Sequence, residues 1–142
     1  MASYWLMDLE GSLLAVEAEE SLQALSASSL AVLPLGTPAL AGVALIDDQT
    51  VMVGDVAFCL GFSPATPSPE SSLLRYTGEN RGFLVAAPLR LLESSGCRVF
   101  PLPEGMQEEG LLQGCIEVEG LPVPVLDLRR LQAQFSGANP AP

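Results

Sequence analysis

The 142-residue chain has no histidine and no lysine, so its six basic residues are all arginines. Without an imidazole there is no Ser-His-Asp triad, no Cys-His pair and no histidine-liganded metal. Phosphate binding needs basic groups that displace counterions, and six arginines against 17 acidic residues exclude nucleic acid as a partner. The three cysteines, Cys59, Cys97 and Cys115, are odd in number and far apart. They match neither a disulfide framework nor a zinc knuckle, and read as buried, reduced thiols of a cytoplasmic protein. No stretch approaches the roughly 20 continuous apolar residues of a membrane span, so no membrane insertion is expected. The start, Met-Ala-Ser-Tyr-Trp-Leu, lacks the basic and apolar blocks of a secretory signal. Neither GxxxxGK[ST] nor GxGxxG occurs, so no phosphate-cradling loop is expected.

What is there is written twice. The segment 42–59, GVALIDDQTVMVGDVAFC, lies without a gap on 114–131, GCIEVEGLPVPVLDLRRL, when shifted by 72 positions. Gly42 meets Gly114, Val51 meets Val123, Val53 meets Val125, and Asp55 meets Asp127. Each copy runs from a Gly through an apolar strand, an acidic tip and a return strand to an Asp. Leu33-Pro34-Leu35-Gly36 precedes one copy and Leu102-Pro103-Glu104-Gly105 the other. A match this long in a short chain sets the architecture before any local reading: two similar β modules, together one domain over 4–135.

Hairpins are predicted around Glu10-Gly11 and around Gly78-Glu79-Asn80, each preceding one half. In the first, Trp5, Met7 and Leu9 carry the alternation. Between hairpin and repeat, 17–29 and 88–95 lose the period of two and read as weak helical turns, with Leu22 and Leu25 three apart. Strands are expected at 30–35 and 98–103. Segment 63–72, SPATPSPESS, has three prolines and reads as a linker. The modules are therefore set at about 4–62 and 73–135, with strand exchange between them left open, and 136–142 is expected to be a disordered tail.

Asp55 and Asp127 each follow a strand and precede a short apolar run, the pattern of a helix N-cap. Gly61 closes the first turn, and a longer final helix follows Asp127. Two aspartates at matching ends of duplicated β halves also suggest a shared-proton acid pair. Such sites place a small hydroxyl residue and Gly after each Asp, whereas Val-Ala and Leu-Arg stand here. Asp47-Asp48 and Glu108-Glu109 are adjacent pairs whose side chains point apart, so no metal and no cofactor is expected.

The copies also separate inside from outside. Ala44 and Ile46 match Ile116 and Val118, the core face, while Glu117 and Glu119 share parity with Cys115 on the wet face. Val43, Leu45 and Asp47 take those wet positions in the first copy, and Met52 faces outward from the return strand. Val43, Leu45 and Met52, rimmed by Asp47 and Asp48, form a candidate partner-binding patch. The nine acidic residues up to Glu70 have no basic residue among them, whereas eight acidic residues and six arginines follow. That first half favours encounter with a basic protein surface.

Taken in order, Leu-Ala-Gly-Val-Ala-Leu at 40–45, Val-Met-Val-Gly-Asp-Val at 51–56, Leu-Gln-Gly at 112–114 and Val-Pro-Val-Leu-Asp-Leu at 123–128 resemble the CheW-like domain. The resemblance covers roughly 4–131. It implies an all-β fold of two packed five-stranded SH3-like barrels with short helical turns and a C-terminal helix. It also implies a non-enzymatic cytoplasmic adaptor that couples a methyl-accepting chemoreceptor to the regulatory domain of a CheA-type histidine kinase. The family commonly carries Asn-Leu-Arg-Gly at the first repeat tip, and that Arg is involved in partner contacts. Leu45-Ile46-Asp47-Asp48 stands here, and Met52 replaces the usual Pro. A divergent member serving a specialised array, of a surface-motility or pilus type, fits those departures. The competing reading is a stand-alone barrel module that self-associates through the same patch.

Overall fold

The computed structural model describes residues 3–32, 40–63, 65–86, 88–93, 98–102 and 110–138. Cys97, residues 106–109 with the Glu108-Glu109 pair, and most of both repeated flanks, 33–36 and 103–105, lie outside them. The described residues form two units, Met1–Glu19 with Leu89–Pro142, and Glu20–Pro88.

The first unit holds β1 (Ser3–Leu9), β2 (Ser12–Glu17), β9 (Arg90–Glu93), β10 (Val99–Phe100), β11 (Leu112–Val118) and β12 (Leu121–Leu126). The second holds β3 (Leu22–Ser26), β4 (Leu30–Val32), β5 (Leu40–Ile46), β6 (Gln49–Asp55), β7 (Ser72–Tyr76) and β8 (Arg81–Val85). Helix α1 (Val56–Cys59) follows β6 and α2 (Leu128–Ala138) follows β12; a 3₁₀ turn at Ala27–Ser29 precedes β4. One sheet runs β10-β11-β12-β2-β1-β9 and the other β4-β5-β6-β8-β7-β3. The two orders coincide when each element is replaced by its repeat counterpart. The N-terminal hairpin β1–β2 thus sits with the second copy of the repeat, and β7–β8 with the first. The units therefore do not follow the contiguous ranges 4–62 and 73–135.

Each sheet has six strands rather than five, because the segments read as helical turns are β3 and β9. Leu22 pairs with Tyr76 and Ser26 with Ser72; Tyr4 pairs with Leu92 and Leu6 with Arg90. Backbone groups of these short segments are satisfied by strands far along the chain, and that outweighs a frail serine-rich helical pattern. The inward set of β1 is Tyr4 and Leu6 rather than Trp5, Met7 and Leu9. Met7 and Leu9 are also buried, so this strand is covered on both faces and carries no clean alternation. Helix α2 runs to Ala138, three residues into the span read as a tail, and 139–142 lie outside the described residues.

The repeat reaches into the cores. Ala44, Ile46, Val51 and Val53 centre one cluster, and Ile116, Val118, Val123 and Val125 the other. Both copies break register at the same step, between Leu40 and Gly42 and between Leu112 and Gly114. The reason for glycine is steric. A Cβ on Gly114 would stand 2.7 Å from the Phe100 carbonyl oxygen of β10, and one on Gly42 closer still to that of Ala31 in β4. These glycines let the edge strand lie against the bulge.

Gly114→Ala is expected to lower stability by about 1–3 kcal/mol, and Gly42→Ala by at least as much. Urea unfolding of the two variants checks this; unchanged midpoints would mean that β4 and β10 yield without loss.

Candidate interaction surface

Strands β5 and β6 are joined by a two-residue turn with Asp47 at φ 50° and Asp48 at φ 61°. Successive left-handed residues give the reverse twist that a tight hairpin needs. The equivalent turn between β11 and β12 is Glu119-Gly120, at 52° and 78°. Glycine bears such a φ without steric cost, and Asp bears it better than most side chains.

The register brings the predicted patch together. Val43 lies directly opposite Met52, and Leu45 opposite Thr50. Val43 and Met52 are half-buried, while Leu45 is 63 % exposed. Ala44, Ile46, Val51 and Val53, on the other parity, are buried as the repeat implies. On the far side of Met52, in register across the parallel β6–β8 ladder, stands Arg81. Its Nη1 is 4.0 Å from the Met52 sulfur. The Met52 amide donates to the Asn80 carbonyl at 2.9 Å. Pro124 occupies the same place in β12 and has no amide hydrogen to donate. The β6–β8 ladder spans four residue pairs and begins at Met52, whereas the β12–β2 ladder spans two and begins one residue after Pro124.

Asp47 has a further role that its sequence position does not reveal. Its Oδ2 lies 3.5 Å from Nη1 of Arg75, whose side chain is 1 % exposed whereas that of Asp47 is 74 % exposed. Arg75 Nη2 donates to Gln49 Oε1 at 2.6 Å, Nε to the Glu79 carbonyl at 2.7 Å, and Nη1 to Gln23 Oε1 at 3.4 Å. A buried guanidinium is tolerable only when its donors are matched, and these acceptors match it. By register Arg75 takes the place of the core residue Leu6 in the other sheet. Sequence reasoning missed it; the signal was one arginine inside Leu73-Leu74-Arg75-Tyr76, aligned with the leucine of the N-terminal hairpin.

The two repeat aspartates do different amounts of work. Asp55, 2 % exposed, accepts from the amides of Ala57 (3.0 Å) and Phe58 (3.4 Å) through Oδ1, and from Ala65 (2.6 Å) through Oδ2. It caps α1 and ties the proline-rich segment to the end of β6. That segment is further pinned by Ser71, whose hydroxyl donates to the Ala86 carbonyl and accepts from the Ser68 amide. It is an anchored connection rather than a loose linker. Asp127 accepts from the Arg130 amide at 3.1 Å and pairs with its Nε at 3.4 Å. Arg130 also donates to the Gly110 carbonyl. Both carboxylates are engaged by backbone amides, and they belong to different units. The half-buried Cys59 has its thiol pKa raised, first by burial and then by the charge of Asp55, which keeps it protonated and unreactive. Among the described residues no three acidic or thiol side chains gather as metal ligands. No helix among them is long and apolar enough to cross a membrane.

Gln49→Leu removes the closest acceptor of a buried cation, and should cost about 1.5–3 kcal/mol. Asp47→Asn, at an exposed carboxylate, should cost less than about 1 kcal/mol. The reverse order in denaturant melts would make Asp47 the principal partner of Arg75. Asp55→Ala should cost about 2–3 kcal/mol and Asp127→Ala about 1 kcal/mol, read as midpoint shifts under the same conditions.

No family model matches the chain, and no curated protein sequence does. Fifteen chains of solved structures match it. One is the scaffolding protein TtCheW from Thermoanaerobacter tengcongensis, with a TM-score of 0.69 and 14 % sequence identity over 92 % of this chain and 91 % of that one. At that identity the likeness is one of fold, and it extends along nearly the full length of both chains. With its duplicated, hairpin-exchanged sheets, this chain has the CheW-like fold in a divergent sequence.

Proposed function

We propose that the chain is a non-enzymatic cytoplasmic adaptor in bacterial chemosensory signalling, binding the regulatory domain of a CheA-type histidine kinase, the tip of a methyl-accepting chemoreceptor, or both. The observation that carries this reading is the full-length fold similarity to a protein described as a scaffold. The chemistry of the residues supports it. There is no imidazole, and the repeated aspartates spend their lone pairs on backbone amides. What the molecule offers a partner is surface.

The contact surface is the outer face of β5–β6, with Val43, Leu45 and Met52 as its apolar centre and Asp47 and Asp48 at its rim. An apolar centre with a charged rim is the ordinary anatomy of a specific interface. The acidic turn suits a partner other than one selected by an arginine at that place, which favours a specialised motility or pilus-type array. Charge at a rim discriminates between related partners more than it adds affinity.

Isothermal titration of the chain with the regulatory domain of a cognate CheA-type kinase, and separately with a receptor-tip fragment, tests the reading. Binding to at least one is expected, with Leu45→Glu weakening it about tenfold or more. Leu121→Glu, at the start of β12 in the other unit, should leave it unchanged. Salt-insensitive self-association with neither partner bound would overturn the adaptor in favour of the stand-alone module.

A further inference from the structure

We infer that the outer face of β5–β6 docks a protein segment that carries an arginine or lysine beside apolar side chains. This rests on the reading of that face as the docking surface, and adds the chemistry of what it accepts. The apolar row runs across the sheet from Ala31 on the edge strand β4, through Val43, to Met52. Leu45 stands two residues nearer the turn and is 63 % exposed. The face is closed by charges of opposite sign. Arg81 flanks Met52 at one side, while Asp47 and Asp48 stand at the turn. At about 3.3 Å per residue, the turn and the Val43 row are about 13 Å apart, the length of four residues of extended chain. A segment of that length can lay apolar side chains on Leu45, Val43 and Met52 while its cation reaches the turn.

Two features of the turn argue that the negative charge matters there. Asp48 holds a left-handed φ at the position where the other copy has Gly120, so a carboxylate is kept where the backbone favours glycine. Asp47 lies 3.5 Å from the buried Arg75 yet keeps most of its surface in water, free to meet a second cation. An acidic partner group would meet like charge at the turn. A second copy of this chain, with formal net charge −11, would be repelled at long range.

The other unit provides the contrast. Glu117 and Glu119 are as exposed and as acidic, but Glu117 stands where the first copy has Leu45. Acidity is present in both copies, and the row equivalent to Ala31, Val43 and Met52 is also apolar in the second, as Phe100, Cys115 and Pro124. Only the first continues that row towards its turn with an exposed apolar side chain, Leu45. A bare cation would not tell the two turns apart, whereas a segment carrying both features would.

The test is an amide-shift titration of the ¹⁵N-labelled full chain with the peptide acetyl-Leu-Arg-Leu-Arg-Leu-amide, and with its Glu counterpart. Saturable shifts over 43–52 with the Arg peptide are expected, and none of comparable size at 117–121. The Glu peptide should bind at least about tenfold more weakly, and Asp48→Arg should lose about as much for the Arg peptide. Asp48→Gly keeps the turn geometry and should show a smaller loss. Equal shifts at both turns, tighter binding of the Glu peptide, no saturable shift, or concentration-dependent shifts without peptide would each overturn the proposal. Because no kinase or receptor enters this titration, failure of the adaptor reading and failure of this docking chemistry are separate results.

Discussion

Each sheet is held as one piece by a single parallel join, β8 on β6 in one unit and β2 on β12 in the other. Among the described residues every other strand pair is antiparallel, so these two joins decide which hairpin belongs to which copy of the repeat. Parallel pairing leaves the chain at the wrong end of the sheet and needs a long connection to return. In the Glu20–Pro88 unit that connection begins at Asp55, where the carboxylate takes the amides of α1 and then that of Ala65. In the other unit the N-terminal hairpin must wait for strands near the far end of the chain. Contacts of such separation carry a larger loop-closure entropy than those within a hairpin.

The parts of this architecture that were legible in the sequence are those written with a short period. Val51, Val53, Val123 and Val125 alternate cleanly, and their shared offset marks the two return strands and both cores. Gly42 and Gly114 were visible as a matched pair, although their reason was not, because the carbonyls they accommodate come from separate strands. The hidden parts are those fixed at a distance. Leu22 and Leu25 look helical by spacing, but Leu22 answers to Tyr76 and Leu25 to Leu73. The inward face of β1 was misjudged because Tyr4, Leu6, Met7 and Leu9 are all buried. A strand without a wet face carries no alternation to read.

Arg75 shows the same limit from the opposite direction. An arginine in a short strand normally signals an exposed edge, since burying the charge unmatched is prohibitive. Here the acceptors are drawn from β3, β6 and the β7–β8 turn, and no local pattern announces that they will converge. The candidate patch was legible in part for the same reason. Val43, Leu45 and Met52 were placed by parity, whereas the tie between Asp47 and Arg75 crosses from one hairpin to the other.

The comparison between copies also assigns the differences. One unit carries Leu6 in the core, Glu119-Gly120 in the repeat turn, and Pro124 on the return strand. The other carries Arg75, Asp47-Asp48 and Met52 at those places. Stability alone would favour the first set, since leucine needs no acceptors and glycine accepts a positive φ. The second set burdens its sheet with a buried cation and a left-handed aspartate, then recovers part of the loss through the longer ladder that the Met52 amide permits. A duplicated fold needs only one of its copies to meet a partner. On the proposed function, the copy whose substitutions oppose its own stability, with Leu45 exposed beside an acidic turn, is the one that meets a partner.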